Sequence, residues 1–417
     1  MISLADSFTF LDNPSINWKY VAVSFTVGKY LFDNYIEYRQ YQILNKPSPP
    51  ASLKSEVTQE TYDKSRSYSK DTIIWNFSGR LLVKSAPFLP GFMGGVITQS
   101  IFFYAATDII STVLSLPFSY YRIFVLEQKF DFNKSTVGLW ISDYFKWQAV
   151  KLILFSPFIA GFLKLIDHFG DSFIVYCMVF YAIAQLAIYT IVPNVISPLF
   201  NKHKPLEEGK LKTAIEDLAK THNFPLDKLF VIDGSTRSSH SNAYFVGLPW
   251  SKRIVLYDTL IDQHTIEEIV AVLAHEIGHW KGNHIIKSII SGQPQIFLLC
   301  SSFSVFIHNK SLFTSFGFVG EQPVIIGYWL FDEIYTPVTF ATQFWETLIS
   351  RKHEYEADAY AKNNGYAEEL GTALIKLSSE NLSSTDTDWL YSSYHHSHPT
   401  FGRKVDSFGL HFQGQGL

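Results

Sequence analysis

Apolar and polar stretches alternate along this 417-residue chain with two different periods. Residues 98–121, 148–168 and 172–200 run almost free of charge for the roughly 20 residues that a bilayer crossing needs. Residues 285–308 and 323–349 repeat the pattern, with Gln293, Gln295, Asp332 and Glu333 inside them. Residues 17–37 form a weaker apolar stretch, interrupted by Lys19, Lys29 and Asp33. Residues 72–95 are the least regular. Arg80 and Lys84 break them and Pro87, Pro90 and Gly91 follow, which fits a poor span, a re-entrant piece or an interfacial helix. Asp108 sits inside a clear span. Ionisable groups at that depth usually face a bundle interior or water, although a local kink would also accommodate one. Pro193 and Pro198 are expected to end or kink the span they lie in.

At Asn201 the pattern changes. Residues 206–223 read as a soluble amphipathic helix, and residues 228–232, 242–246 and 253–257 read as short strands punctuated by Gly234, Gly247 and Pro249. Ile266, Ile269, Val270, Leu273 and Ile277 then recur at helical spacing behind Thr265 and Glu268, a capping box. The pattern predicts a mainly α, polytopic membrane protein of about seven transmembrane helices with a small α+β insert. Residues 1–200 hold spans one to five, 201–284 the insert and 285–349 spans six and seven. Residues 350–417 hold a polar helix and cap, with an atypical tail after about 403.

Composition agrees. Aromatic residues make up 16% and charged residues only 17%, against about 25% in soluble domains. The net charge is −4 with no long basic run, which removes support for a nucleic-acid partner. Cys177 and Cys300 both lie in apolar runs and read as packing residues. The first 15 residues are polar and acidic, so no cleavable signal peptide is expected there and the first span is expected to serve as its own insertion signal.

Candidate chemistry sits in Ala274-His275-Glu276-Ile277-Gly278-His279-Trp280. A helix turns once in 3.6 residues, so His275 and His279 stack on one face and can hold one zinc ion. Glu276 lies beside them, able to take a proton from zinc-bound water. Gly278 removes a side chain on the approach to the site. A catalytic zinc usually takes three protein ligands plus water. Glu346, His353, Glu354, Glu356 and Asp358 are all candidates for the third; Glu354 and Asp358 share a helical face, so Asp358 could orient a ligating histidine. An ordinary charged helix face is the alternative, as a solvated loop is for His395, His396 and His398, and a strand-end turn residue for Asn242.

The motif helix, Ser350-Arg351 with Glu354-Tyr355 and Ala357-Asp358-Ala359, and Tyr391 to His398-Pro399 together resemble the type I CaaX prenyl endopeptidases, polytopic zinc proteases of the endoplasmic reticulum and inner nuclear membrane. Arg237 to Phe245 and Lys252 to Leu260 look like that family too. The resemblance implies a ring of seven helices around a water-filled chamber with the active site facing cytosol or nucleoplasm. It implies one zinc per chain on His275, His279 and Glu354, with Asp358 behind them. Glu276 would be the base, His398 would steady the oxyanion, and Asn242 and Arg403 would line the substrate groove. The implied substrate is a prenylated CaaX-type peptide or protein, which loses its C-terminal tripeptide and in some members is cut again upstream; the other partner is membrane lipid. His398 to Arg403 is one position shorter than the family's pattern and lacks its acid. A broader membrane quality-control metalloprotease and a non-catalytic translocon-clearing factor are the competing readings.

Overall fold

The computed structural model describes residues 7–50, 53–54, 56–79, 95–248, 251–320 and 322–399. Helix α1 (Trp18–Ile43) starts where the Asn17 side chain accepts from the Tyr20 amide. Helix α2 (Gln59–Gly79) is mostly polar, and residues 80–94 of the 72–95 stretch lie outside the described residues. Helix α3 (Val96–Tyr121) loosens into a π turn at Arg122–Glu127. Helix α4 (Val137–Phe169) begins well before the apolar run at 148, because Thr136 caps an amphipathic lead-in by accepting from the Leu139 amide. Helix α5 (Phe173–Ile191) opens into a π turn at Val192–Ile196, where Pro193 lacks a donor, and resumes at Ser197–Phe200.

Four helical stretches are long and apolar enough to cross a membrane among the described residues: Val96–Glu127, Val137–Phe169, Phe173–Phe200 and His284–Phe306. Their outward faces expose Phe145, Ile153, Val175 and Ile183, each at least 60% accessible, a load of apolar surface that water would not tolerate and lipid does. α1 and the long helix α11 (Val324–Asn363) are also long enough to span, but carry more charge. The charge has partners: Lys29 binds Asp33 within α1, and Thr26 donates to Glu333 of α11. In α3, Asp108 accepts from Lys151 (2.8 Å) and Gln148 (2.9 Å) of α4, so the intramembrane acid is an interhelical pair facing its own bundle. α1, α5, α9 (His284–Phe306) and α11 share one apolar core, in which Trp18, Phe173, Phe303 and Phe331 are buried with Cys177 and Cys300, both free thiols.

The polar stretch folds as β1 (His203–Pro205), α6 (Lys210–Thr221), β2 (Leu226–Ile232), β3 (Ala243–Leu248) and β4 (Ser251–Tyr257). These strands form one sheet in the order β1-β2-β4-β3. β2 and β4 are parallel, while β1 and β3 flank them antiparallel, so β3 is an edge. Short α7 (Asp258–Gln263) leads into α8 (Ile266–Lys281). A second apolar core joins α6, the sheet, α8, α11 and α12 (Ala367–Glu380), around Ile215, Leu256, Leu273 and Ala361. α10 (Lys310–Ser315) closes the α9–α11 turn, and α13 (Trp389–His395) ends the described chain. The architecture is a mainly α membrane fold with a small α+β unit on it.

Candidate active site

The capping box that starts α8 is present in both directions: the Thr265 amide donates to Glu268 Oε2 (2.8 Å) and the Glu268 amide donates to Thr265 Oγ1 (3.3 Å). Ile269, Leu273 and Ile277 are buried against the sheet, which turns His275 and His279 toward α11. α11 is one helix of 40 residues, about 60 Å long at 1.5 Å per residue. It carries the apolar run 324–349 and Glu354 without a break, where the polarity change near residue 350 suggested a span followed by a separate polar helix.

The two helices meet at Gly278. A Cβ there would stand 2.9 Å from Ala357 Cα and 3.0 Å from the Ala357 carbonyl oxygen. Gly278 therefore does not clear an approach for substrate. It lets the backbones of α8 and α11 touch, bringing ligands from both within reach of one ion.

His275 Nε2 and His279 Nε2 lie 3.1 Å apart. Glu354 Oε1 is 3.3 Å from His279 Nε2, and its Oε2 is 3.7 Å from His275 Nε2. The three groups offer one ligand atom each, all within 4.8 Å of one another. Two imidazole nitrogens and a carboxylate oxygen suit a divalent transition metal. Of the five candidates for a third ligand, Glu354 alone joins this cluster among the described residues. Asp358, 2% exposed, stands 2.7 Å from His275 Nδ1, behind the ring. Glu276 is on the same helix turn. Burial pushes its carboxyl above the usual range, the neighbouring Glu354 adds to this, and His275 and His279 oppose it.

His398 arrives from the far end of the chain, its Nδ1 2.7 Å from Glu354 Oε2. Arg351, one turn before Glu354, is the reason. Its guanidinium is buried and donates to the His396 carbonyl (3.0 Å), the Ser392 hydroxyl (3.0 Å) and the Ser392 carbonyl. Asp388 caps α13 by accepting from the Leu390 and Tyr391 amides and accepts two bonds from Arg39 of α1. α1 and α13 are thus tied together, and the chain just after α13 brings His398 to the metal cluster. A cavity of ≈ 780 Å³ opens along His398, Pro399, Asn242 and His240. Asn242 is exposed at the start of edge strand β3. A second cavity, ≈ 620 Å³, lies between α3 and α4 and shares His240. Arg403 lies outside the described residues.

Three residues near the metal cluster were given no structural role by the sequence: Arg351, which served only as a motif residue, His284, and Glu356 as a partner rather than a ligand. His284 is five residues from His279, across the end of α8, so helical spacing could not link the two.

Residues 205–407 match peptidase family M48, and residues 72–202 match the CAAX prenyl protease N-terminal region of five membrane helices. Fold and site together define a membrane-embedded metallopeptidase. CAAX prenyl protease 1 of Saccharomyces cerevisiae is 44% identical over 96% of this chain and 97% of its own length. The Homo sapiens CAAX prenyl protease 1 homolog is 36% identical over 89% of this chain and 90% of its own. The crystal structure of S. mikatae Ste24p superposes with a TM-score of 0.87 at 44% identity, covering 95% of this chain and all of that one (100%). The chain belongs to the CAAX prenyl protease 1 family.

Proposed function

We propose that this protein is a zinc-dependent endopeptidase that removes the C-terminal tripeptide from farnesyl-cysteine CaaX proteins at the endoplasmic reticulum membrane or inner nuclear membrane. The observation that carries the reading is the meeting of His275, His279 and Glu354 at the junction of a soluble helix and a membrane helix. A peptide bearing a lipid needs a polar catalytic centre within reach of apolar surroundings, and the helix that brings Glu354 also packs in the apolar core with α1, α5 and α9. The names of the relatives support the substrate class.

His275, His279 and Glu354 would hold the metal, and Asp358 behind His275 would keep that ring's Nε2 turned inward. Zinc at this site would supply Lewis-acid polarisation and lower the pKa of a bound water toward ~7. Glu276 takes the proton of the attacking water and returns it to the leaving nitrogen. His398, held by the Arg351 anchor, donates to the developing oxyanion. Asn242 holds the peptide backbone as it lies along edge strand β3. Arg403, five positions after His398 in the sequence, is the second groove residue in this reading.

The test is cleavage of one CaaX peptide with and without its farnesyl group. The farnesylated peptide is expected to be cut with at least tenfold higher kcat/KM, a difference of about 1.4 kcal/mol in transition-state binding. Equal rates would remove the prenyl-peptide assignment and favour a general membrane protease.

A further inference from the structure

Behind His279 stands a second chain of contacts, unlike the single carboxylate behind His275. His279 Nδ1 lies 2.9 Å from His284 Nδ1, and His284 Nε2 lies 3.0 Å from Glu356 Oε2. We infer that His284 and Glu356 form a positioning relay that fixes the tautomer of His279 for metal binding. The inference rests on the reading of His275, His279 and Glu354 as a zinc site.

The relay is forced by donor and acceptor chemistry. Glu356 Oε2 also accepts from Lys287 Nζ at 3.3 Å, with Lys352 Nζ 3.8 Å from Oε1, and a carboxylate only accepts. His284 Nε2 therefore carries the hydrogen. In a neutral imidazole the other nitrogen then accepts, so His284 Nδ1 receives a hydrogen from His279 Nδ1. That leaves the lone pair of His279 on Nε2, the atom that faces His275 and Glu354. Any other proton arrangement that keeps both contacts would put a hydrogen on His279 Nε2 and block ligation.

The fold holds the relay rigid. Asn283 takes a left-handed conformation (φ 53°), which breaks α8 from α9 and swings His284 back beneath His279. His284 is 4% exposed. Its ring stacks on His353 of α11 with centroids 4.2 Å apart and planes 7° from parallel, which stops it turning. Glu356, Lys352 and His353 come from α11, Lys287 from α9. The α8–α9 corner is thereby fastened to the helix that brings Glu354.

The test uses the full-length protein in detergent, with zinc affinity read by competition against a chromogenic chelator and melting temperature read with and without zinc. His284→Leu removes the acceptor and is expected to weaken zinc binding about 10–100-fold, the usual cost of losing such a partner. His284→Asn puts an oxygen where Nδ1 was and is expected to recover most of that loss. Glu356→Ala changes a partly exposed position that folding tolerates, frees His284 to switch tautomer, and is expected to weaken zinc at least several-fold. In all three the zinc-free melting temperature stays near that of the parent, while the zinc-induced rise shrinks. Unchanged zinc affinity in Glu356→Ala, or equal loss in His284→Leu and His284→Asn, would overturn the relay. A parent protein that takes up no zinc would overturn the zinc reading itself, and the relay with it.

Discussion

Gly278 shows how one missing side chain sets the metal site. The atoms its Cβ would meet are backbone atoms of Ala357 and the Cβ of Tyr360, at 2.9 to 3.1 Å, and neither can rotate away. Gly278→Ala would gain up to about 1 kcal/mol of helix propensity. The clash, about 1–3 kcal/mol for overpacking, outweighs that gain. The variant is expected to melt lower and to bind metal less tightly, as α8 and α11 move apart. A melting temperature equal to or above the parent's, with metal retained, would show that the two helices do not meet as described. His396 makes a different prediction. Burial depresses its pKa to about 4, with the charges of Arg351 and His398 adding to the effect. The folded ring stays neutral while the unfolded one takes a proton near pH ~6.5. Stability is therefore full above about pH 6.5 and falls as pH drops toward 4, because the unfolded state binds the extra proton. In metal-free protein, His396→Gln is expected to flatten the acid limb of melting temperature against pH over that window. An unchanged limb would assign it to other groups.

At the scale of elements, α13 is placed by α11 through Arg351. Arg351→Lys keeps the charge but loses the fork that reaches His396 and Ser392 together. His398 should then lose its place against Glu354. The expected result is about a tenfold or greater fall in kcat/KM with metal content retained, read by steady-state kinetics and metal analysis together. Full activity would mean that α13 is held by its Asp388 cap and Arg39 alone. The elements differed in how far the sequence revealed them. The start of α8 was legible to the residue, because apolar spacing and a capping box both marked it. The three predicted strands appear with shifted ends, while β1 is too short to leave a pattern. α11 was legible only in halves. Hydropathy changes near residue 350 and reads as the end of a span, yet no Gly or Pro occurs from Val338 to Asn364 to end the helix. Absence of breakers was the better guide. The His284–Glu356 contact left no periodic trace, since it crosses from one helix to the start of the next and on to a third.

Taken whole, the molecule does not carry a soluble active site on membrane anchors. Two ligands come from a helix packed on the small sheet, and the third from a helix that shares the membrane core with α1, α5 and α9. The N-terminal helix is tied to the start of α13 through Arg39 and Asp388. Anything that displaces α11 in the membrane should therefore cost metal as well as activity. His275, Glu276 and His279 were legible from residue types and spacing, while Glu354 was one of five candidates until the family resemblance singled it out. The site's dependence on membrane packing was legible too, because two apolar runs separate Glu354 from the motif helix; what sequence separation hid is that Ala357 touches Gly278.

The most direct measurement of the central claim is cleavage of a farnesylated CaaX peptide by the parent protein and by Glu276→Gln, both zinc-loaded and each repeated with chelator. Glu276 is the proton carrier and not a ligand, so the variant should keep one zinc per chain while kcat falls about 10²–10⁴-fold, and chelation should abolish the parent's activity. Parent-like cleavage by zinc-loaded Glu276→Gln, or cleavage that survives chelation, would contradict the proposal.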